Sequence, residues 1–166
     1  MANVPSKFEG VSLNSDRQIQ IVTGQIKKGL VVVFLSSKCP CSHSHIKELV
    51  DLHNQFKDFE FLAIHSNADE SIEEAKDYFK QLKLPFEVLK DEKSVNANLL
   101  SASKTPHAFV ISQKGEILYN GGVTDSSEAQ NASEYYLRKA LENLSQGKKV
   151  VANQKRTLGC AISRGK

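Results

Sequence analysis

Apolar residues in this chain fall into two patterns, short unbroken runs and helically spaced stripes. Leu30-Val31-Val32-Val33-Phe34-Leu35 is unbroken and rich in β-branched side chains, the signature of a strand buried on both faces. After it, Ile46, Leu49, Val50, Leu52 and Phe56 fall mostly at helical spacing, predicting a helix over 45–56. Phe59 to Ile64 reads as a second core strand. The stripe Ile72, Ala75, Tyr78, Phe79 and Leu82 predicts a helix capped by Asp69 or Ser71. Pro85 ends that pattern, Phe86 to Leu89 reads as a short strand, and Ser94 to Ser101 as a short helix. His107 to Ile111 and Glu116 to Asn120 flank Lys114-Gly115, a hairpin signal. Glu128 to Leu144 predicts a final helix, and Gly147 stops it. Upstream of Gly29 the chain is polar and mixed, with Ile19, Ile21 and Val22 as an edge strand or hairpin arm.

Strands alternating with helices and closing in a hairpin predict an α/β fold, a mixed sheet with helices on both faces. With 166 residues the chain is read as one domain over 1–147, its first 29 residues an extension or hairpin, followed by a basic tail over 148–166. A hydrophobic share of 40% and a charged share of 25% are ordinary for a globular protein. No apolar run is long enough to cross a bilayer. The start, Met1-Ala2-Asn3-Val4-Pro5, lacks the basic and apolar regions of a signal peptide. The expectation is therefore a cytoplasmic protein as the sequence stands, or a periplasmic or exported one if a leader has been removed.

Charge is uneven. The tail holds Lys148, Lys149, Lys155, Arg156, Arg164 and Lys166 and no acid, leaving 16 basic against 19 acidic residues elsewhere. No aromatic residue interleaves with these cations, so a solvated tail is expected and no nucleic-acid partner. Within the tail, Leu158-Gly159-Cys160-Ala161-Ile162 forms an apolar island expected to dock on the body near Cys39.

The candidate chemistry lies at Cys39-Pro40-Cys41-Ser42, where the buried strand meets the helix. A cysteine at a helix start adjoins N–H groups with no intrahelical partner, which favours the reactive thiolate. Pro40 suits the first helical turn because its missing N–H has no partner to lose. Lys38 is a candidate charge partner. Three cysteines cannot all pair within one chain, which favours redox or ligand chemistry over a structural disulfide framework. A metal-binding reading stands beside the redox one. Cys39, Cys41, His43 and His45 suit copper or zinc by type, with Cys39/His43 and Cys41/His45 each four apart.

These residues resemble the thioredoxin superfamily. The strand-Cys39-Pro40-helix unit, Thr105-Pro106 before an apolar strand, and the hairpin at Lys114-Gly115 follow in the family's order. The likeness is to the redoxin branch, described as peroxiredoxin-like and related to alkyl hydroperoxide reductases and thiol-specific antioxidant proteins. It is carried by TPHAFVI, GEILYNGGVTDS and the terminal TLGCAI. The resemblance implies a thioredoxin-like sheet with Thr105-Pro106 as a cis bond beside the reactive cysteine. It implies a thiol-disulfide oxidoreductase, with Cys39 as nucleophile and Cys41 or Cys160 as resolving thiol. Thr105, Pro106, Ser36, Pro40 and Ser42 become the residues expected against substrate. The expected partners are a protein or small-molecule thiol or disulfide, a peroxide as a second option, and an electron donor. No cofactor is implied.

Two departures separate the chain from true peroxiredoxins and from thioredoxins. Peroxiredoxins carry Pro-x-x-x-Thr/Ser-x-x-Cys and a distant arginine that polarises the peroxide. Ser36 stands three before Cys39, but Val32 occupies the proline position. None of Arg17, Arg138, Arg156 and Arg164 falls where that arginine belongs. Thioredoxins need a cysteine where Ser42 stands. A preorganised group aimed at developing charge is worth about 10²–10³ in rate. Reaction of reduced Cys39 with hydrogen peroxide is accordingly expected to be slower than in a peroxiredoxin by that order. Stopped-flow rates matching a dedicated peroxidase would contradict it.

Overall fold

The computed structural model describes residues 3–150 and 153–165. Met1, Ala2 and the basic Lys166 of the predicted tail lie outside them. In chain order the strands and helices are β1 (Lys7–Val11), β2 (Gln18–Val22), β3 (Gly29–Phe34), α1 (Pro40–Ser44), α2 (Ile46–Gln55), β4 (Phe59–His65), α3 (Ile72–Leu82), β5 (Glu87–Lys90), α4 (Val95–Leu100), β6 (Lys104–Thr105), β7 (His107–Ile111), β8 (Ile117–Gly121), α5 (Tyr136–Ser145) and β9 (Cys160–Ala161). A five-stranded sheet runs β5-β4-β3-β7-β8. β3, β4 and β5 are parallel, while β7 and β8 run antiparallel to their neighbours. This is the predicted thioredoxin-like mixed sheet.

β3 owes its central place to its unbroken apolar run. Val31, Val33 and Leu35 enter the core beneath α2, α3 and α5, with Leu49, Leu52, Phe79, Leu137 and Leu141. Leu30, Val32 and Phe34 enter the opposite core, with Phe8 and Ile26 from the N-terminal segment and Leu100 from α4. Period-two alternation in a strand covered on both faces requires such a run. The N-terminal segment is a hairpin, β1 paired antiparallel with β2. Ser71 caps α3 by accepting the Glu74 N–H, one of the two predicted caps.

Two helices differ from expectation. The helix after the cysteines breaks at His45, whose ring Nδ1–H donates to the Cys41 carbonyl 2.7 Å away. Its Nε2 lies 2.8 Å from the Thr124 hydroxyl. α5 begins at Tyr136 and not at Glu128. The intervening segment spends its backbone elsewhere: Ser133 N–H donates to the Asp125 carboxylate and Ala129 N–H to the Ser44 hydroxyl. Short polar side chains that capture backbone groups in this way compete with helix formation.

The C-terminal segment crosses the body twice. Residues 153–156 run along the free edge of β8, with Asn120 N–H donating to Asn153 and Lys155 N–H to Asn120. β9 then pairs antiparallel with β6, Thr105 opposite Cys160 and Lys104 opposite Ala161. Ile162 is buried in the core that holds Phe34 and Leu100. Leu158, expected to share that role, is only half-buried.

Candidate active site

β3 ends one residue before the loop Leu35 to Lys38, which delivers Cys39 to the start of α1. Cys39 is the N-cap residue with extended backbone, and Pro40 is the first helical residue. The loop is held by a buried carboxylate. Glu70 accepts from the Ser37 N–H at 2.8 Å, the Ser37 hydroxyl at 2.6 Å, the Ser36 hydroxyl and the His65 ring at 3.0 Å. The Ser36 oxygen in turn accepts the Cys39 N–H at 3.0 Å and the Lys38 N–H at 3.1 Å. Ser42 closes the loop by accepting the Ser36 N–H at 3.0 Å. Burial alone would raise the pKa of Glu70. The donors from His65, Ser36 and Ser37 outweigh it and bring the group down to about 2.

Ser36 and Ser42 are buried in the loop, where Ser36 holds the Cys39 N–H and Ser42 the Ser36 N–H. Lys38 pairs with Glu74 at 2.9 Å.

Cys39 and Cys160 are joined by a disulfide that spans 121 residues, with Cα atoms 6.1 Å apart. The Cys39 sulfur lies 3.5 Å from the Thr105 carbonyl oxygen. Thr105-Pro106 is the cis bond of the chain, and the Thr105 hydroxyl has no hydrogen-bond partner among the described residues. Cys41 is a half-buried free thiol. Its sulfur and those of Cys39 and Cys160 all lie within 4.8 Å of one another. Cys39, Cys41, Cys160, Thr105 and Pro106 thus meet at one end of the sheet.

The histidines do not join them. His43 donates Nε2–H to the Ser37 carbonyl at 2.8 Å and stacks on Tyr78. Both ring nitrogens of His45 are occupied as described above, and burial holds its pKa below the usual value. The four-ligand set Cys39, Cys41, His43 and His45 is therefore replaced by a cluster of three sulfurs. His107, next to Pro106, faces Asn120 at 2.7 Å. Burial lowers its pKa too. No arginine is aimed at the sulfurs. Arg17 pairs with Glu87, Arg138 with Glu48 and Arg164 with Asn98, and Arg156 is exposed. A cleft of about 590 Å³ between Tyr119, Tyr136, Arg138 and Lys155 has no cysteine in its wall.

A family model described as thioredoxin-like matches residues 27–117, more than half of the chain. The chain belongs to the thioredoxin-like family. This thioredoxin-like protein is similar in structure to an uncharacterized conserved protein from Geobacillus kaustophilus, with 27% identity and a TM-score of 0.84 over 98% of this chain and 90% of that one. A hypothetical protein from Sinorhizobium meliloti matches at 21% identity and TM-score 0.84, covering 99% and 95%. A secreted disulfide oxidoreductase from Mycobacterium tuberculosis shares the fold at 17% identity and TM-score 0.55, covering 66% and 79%. No curated protein matches the sequence. Among the described residues no helix is long and apolar enough to cross a membrane.

Glu70 was hidden in the sequence reading because its partners lie 33 and 34 positions upstream. Its weight is measurable through pH. A carboxylate lowered from 4.5 to about 2 contributes stability above pH 4.5 that is lost as pH falls toward 2. The shift corresponds to roughly 3 kcal/mol at 1.36 kcal/mol per unit. Glu70→Gln is expected to be less stable than wild type by that order at neutral pH, and the gap should close between pH 4.5 and 2. Urea denaturation across this range checks it, and a gap that does not change with pH would contradict it.

Proposed function

We propose that this thioredoxin-like protein is a thiol-disulfide oxidoreductase whose working pair is Cys39 and Cys160. The observation that carries the reading is the disulfide between these cysteines beside the cis Thr105-Pro106 bond. In the reduced protein the Cys39 thiolate attacks one sulfur of a substrate disulfide. A Cys39–substrate bond forms and the first substrate thiolate leaves. The Cys160 thiolate then attacks the Cys39 sulfur, closing the Cys39–Cys160 bond and releasing the second substrate thiolate. Two electrons pass from the two cysteines to the substrate, and an external dithiol returns them. The same steps in reverse oxidise a dithiol.

Three features support this assignment over a merely structural bridge. Cys39 caps a helix start, where unpaired N–H groups stabilise a thiolate as leaving group. Cys160 is the more accessible residue of the pair, half-buried where Cys39 is 4% exposed. The tail is held to the body by the buried Ile162 and by its pairing with Thr105, so Cys160 stays close enough to Cys39 to close the bond again. In this reading the body spans 1–147, the tail 148–166 brings the resolving thiol, and Thr105, Pro106 and Pro40 form the wall against which substrate lies. Cys41 is a spare thiol able to attack the same disulfide. A peroxide is a poor substrate in this reading, because the sequence lacks the arginine and the proline of the peroxiredoxin pattern.

Trapping on variants tests the reading. With both Cys41 and Cys160 changed to Ser, attack by Cys39 on a peptide disulfide should stop at a stable Cys39–peptide adduct, releasable by dithiothreitol. Cys39→Ser should form no such adduct and should lose turnover down to the uncatalysed thiol rate. Turnover by Cys39→Ser at the wild-type rate would overturn the assignment.

A further inference from the structure

The third sulfur is not needed for a two-cysteine exchange, yet it sits with the other two. Cys39, Cys41 and Cys160 hold their sulfurs within 4.8 Å of one another. A metal–thiolate bond of about 2.3 Å places three sulfurs around one ion about 4 Å apart. Breaking the Cys39–Cys160 bond and letting those sulfurs relax apart meets that geometry with little movement of the backbone. We propose that the reduced protein binds one monovalent copper ion through Cys39, Cys41 and Cys160, and that the disulfide closes this site. The inference rests on the redox reading above, because two of the three ligands exist as thiols only after reduction.

Donor type and number argue for copper(I). Thiolates are soft ligands, suited to copper(I) and to zinc. Zinc in structural sites takes four protein ligands. A fourth is not at hand among the described residues: no histidine or carboxylate joins the three sulfurs, His45 spends both nitrogens on Cys41 and Thr124, and His43 turns its Nε2 to Ser37. Copper(I), a closed-shell soft ion, is satisfied by three sulfurs.

The site does not depend on the disulfide for its assembly. Cys160 is held in place by its strand pairing with Thr105. Ile162 N–H donates to the Ser103 carbonyl at 3.0 Å, and Ala68 N–H to the Ser163 carbonyl at 2.9 Å. Arg164 donates to Asn98 at 2.7 Å. These contacts keep the third sulfur near the other two when the S–S bond is absent, while Cys39 and Cys41 are fixed by α1. Reduction supplies two electrons and two protons from a dithiol, turning the Cys39–Cys160 bond into two thiols. Copper(I) then displaces thiol protons as its sulfur bonds form. A substrate disulfide that takes two electrons from Cys39 and Cys160, leaving as two thiols, restores the Cys39–Cys160 bond and expels the ion.

Anaerobic titration with copper(I) against a chromogenic copper(I) chelator tests this on the full chain, with thiols counted in parallel. Reduced wild type with three free thiols should withdraw one equivalent of copper. The disulfide form, with one free thiol, should withdraw none at the same chelator concentration. Cys41→Ser and Cys160→Ser should each weaken binding by more than the roughly 10–100-fold that outer-sphere partners are worth, whereas His43→Ala should leave it unchanged. Reduced wild type with three free thiols that withdraws no copper overturns the metal site and leaves the oxidoreductase reading standing. Equal losses in His43→Ala and Cys160→Ser overturn the three-sulfur ligand set. A protein that never forms the Cys39–Cys160 bond, and so counts three thiols under mild oxidation, removes the redox gate and with it the reading on which this inference rests.

Discussion

The cysteine end of this molecule depends on one short contact, the antiparallel pairing of Lys104–Thr105 with Cys160–Ala161. It brings together residues more than fifty positions apart and sets a sulfur from the tail beside one at the head of α1. The pairing requires a very close approach of the two chains. A Cβ at Gly159 would lie 2.1 Å from the Thr105 carbonyl oxygen, so only glycine can stand immediately before Cys160. Without that glycine the tail would be held off the strand, and the disulfide, the sulfur cluster and the screening of Thr105 would all be lost together.

Against this contact stands a second, rigid frame. The loop carrying Cys39 is tied from beneath by Glu70, which collects donors from Ser36, Ser37 and His65 in a dry setting. A buried carboxylate is tolerable only when its lone pairs are filled, and here they are filled by the loop it has to hold. One side of the site is therefore fixed by a network built into the sheet end. The other side is fixed by a tail with, among its described residues, a single buried apolar anchor and a handful of backbone bonds. The proposed exchange needs both: a nucleophile that does not wander and a second sulfur held within reach of it.

How much of this could be read in the sequence follows from the range of the interactions. β3 was legible because burial on both faces leaves an unbroken apolar run, and the β7–β8 hairpin because Lys114-Gly115 marks its turn locally. Cys39 at a helix start, with Pro40 after it, was legible for the same reason. The break at His45 was not, since it arises when a ring meets Thr124, 79 positions away. The late start of α5 was hidden in backbone groups captured by Asp125 and Ser44. The motif position of Ser36 and Ser42 says nothing of direction, and their bonds to the buried Glu70 and to the loop backbone lay beyond it. Whether Cys41 or Cys160 partners Cys39 also lay beyond local pattern, because it is decided by where the tail crosses the sheet.

The account stands or falls on the pairing of Cys39 with Cys160. Mild oxidation of the reduced protein, alkylation of remaining thiols and non-reducing peptide mapping read it directly. The predicted result is one crosslinked pair joining the peptide of Cys39 to that of Cys160, with the alkyl label on Cys41 alone. A map in which Cys160 carries the label and Cys39 is joined to Cys41 would contradict it, and would make the tail a packing segment and the local pair the seat of the chemistry.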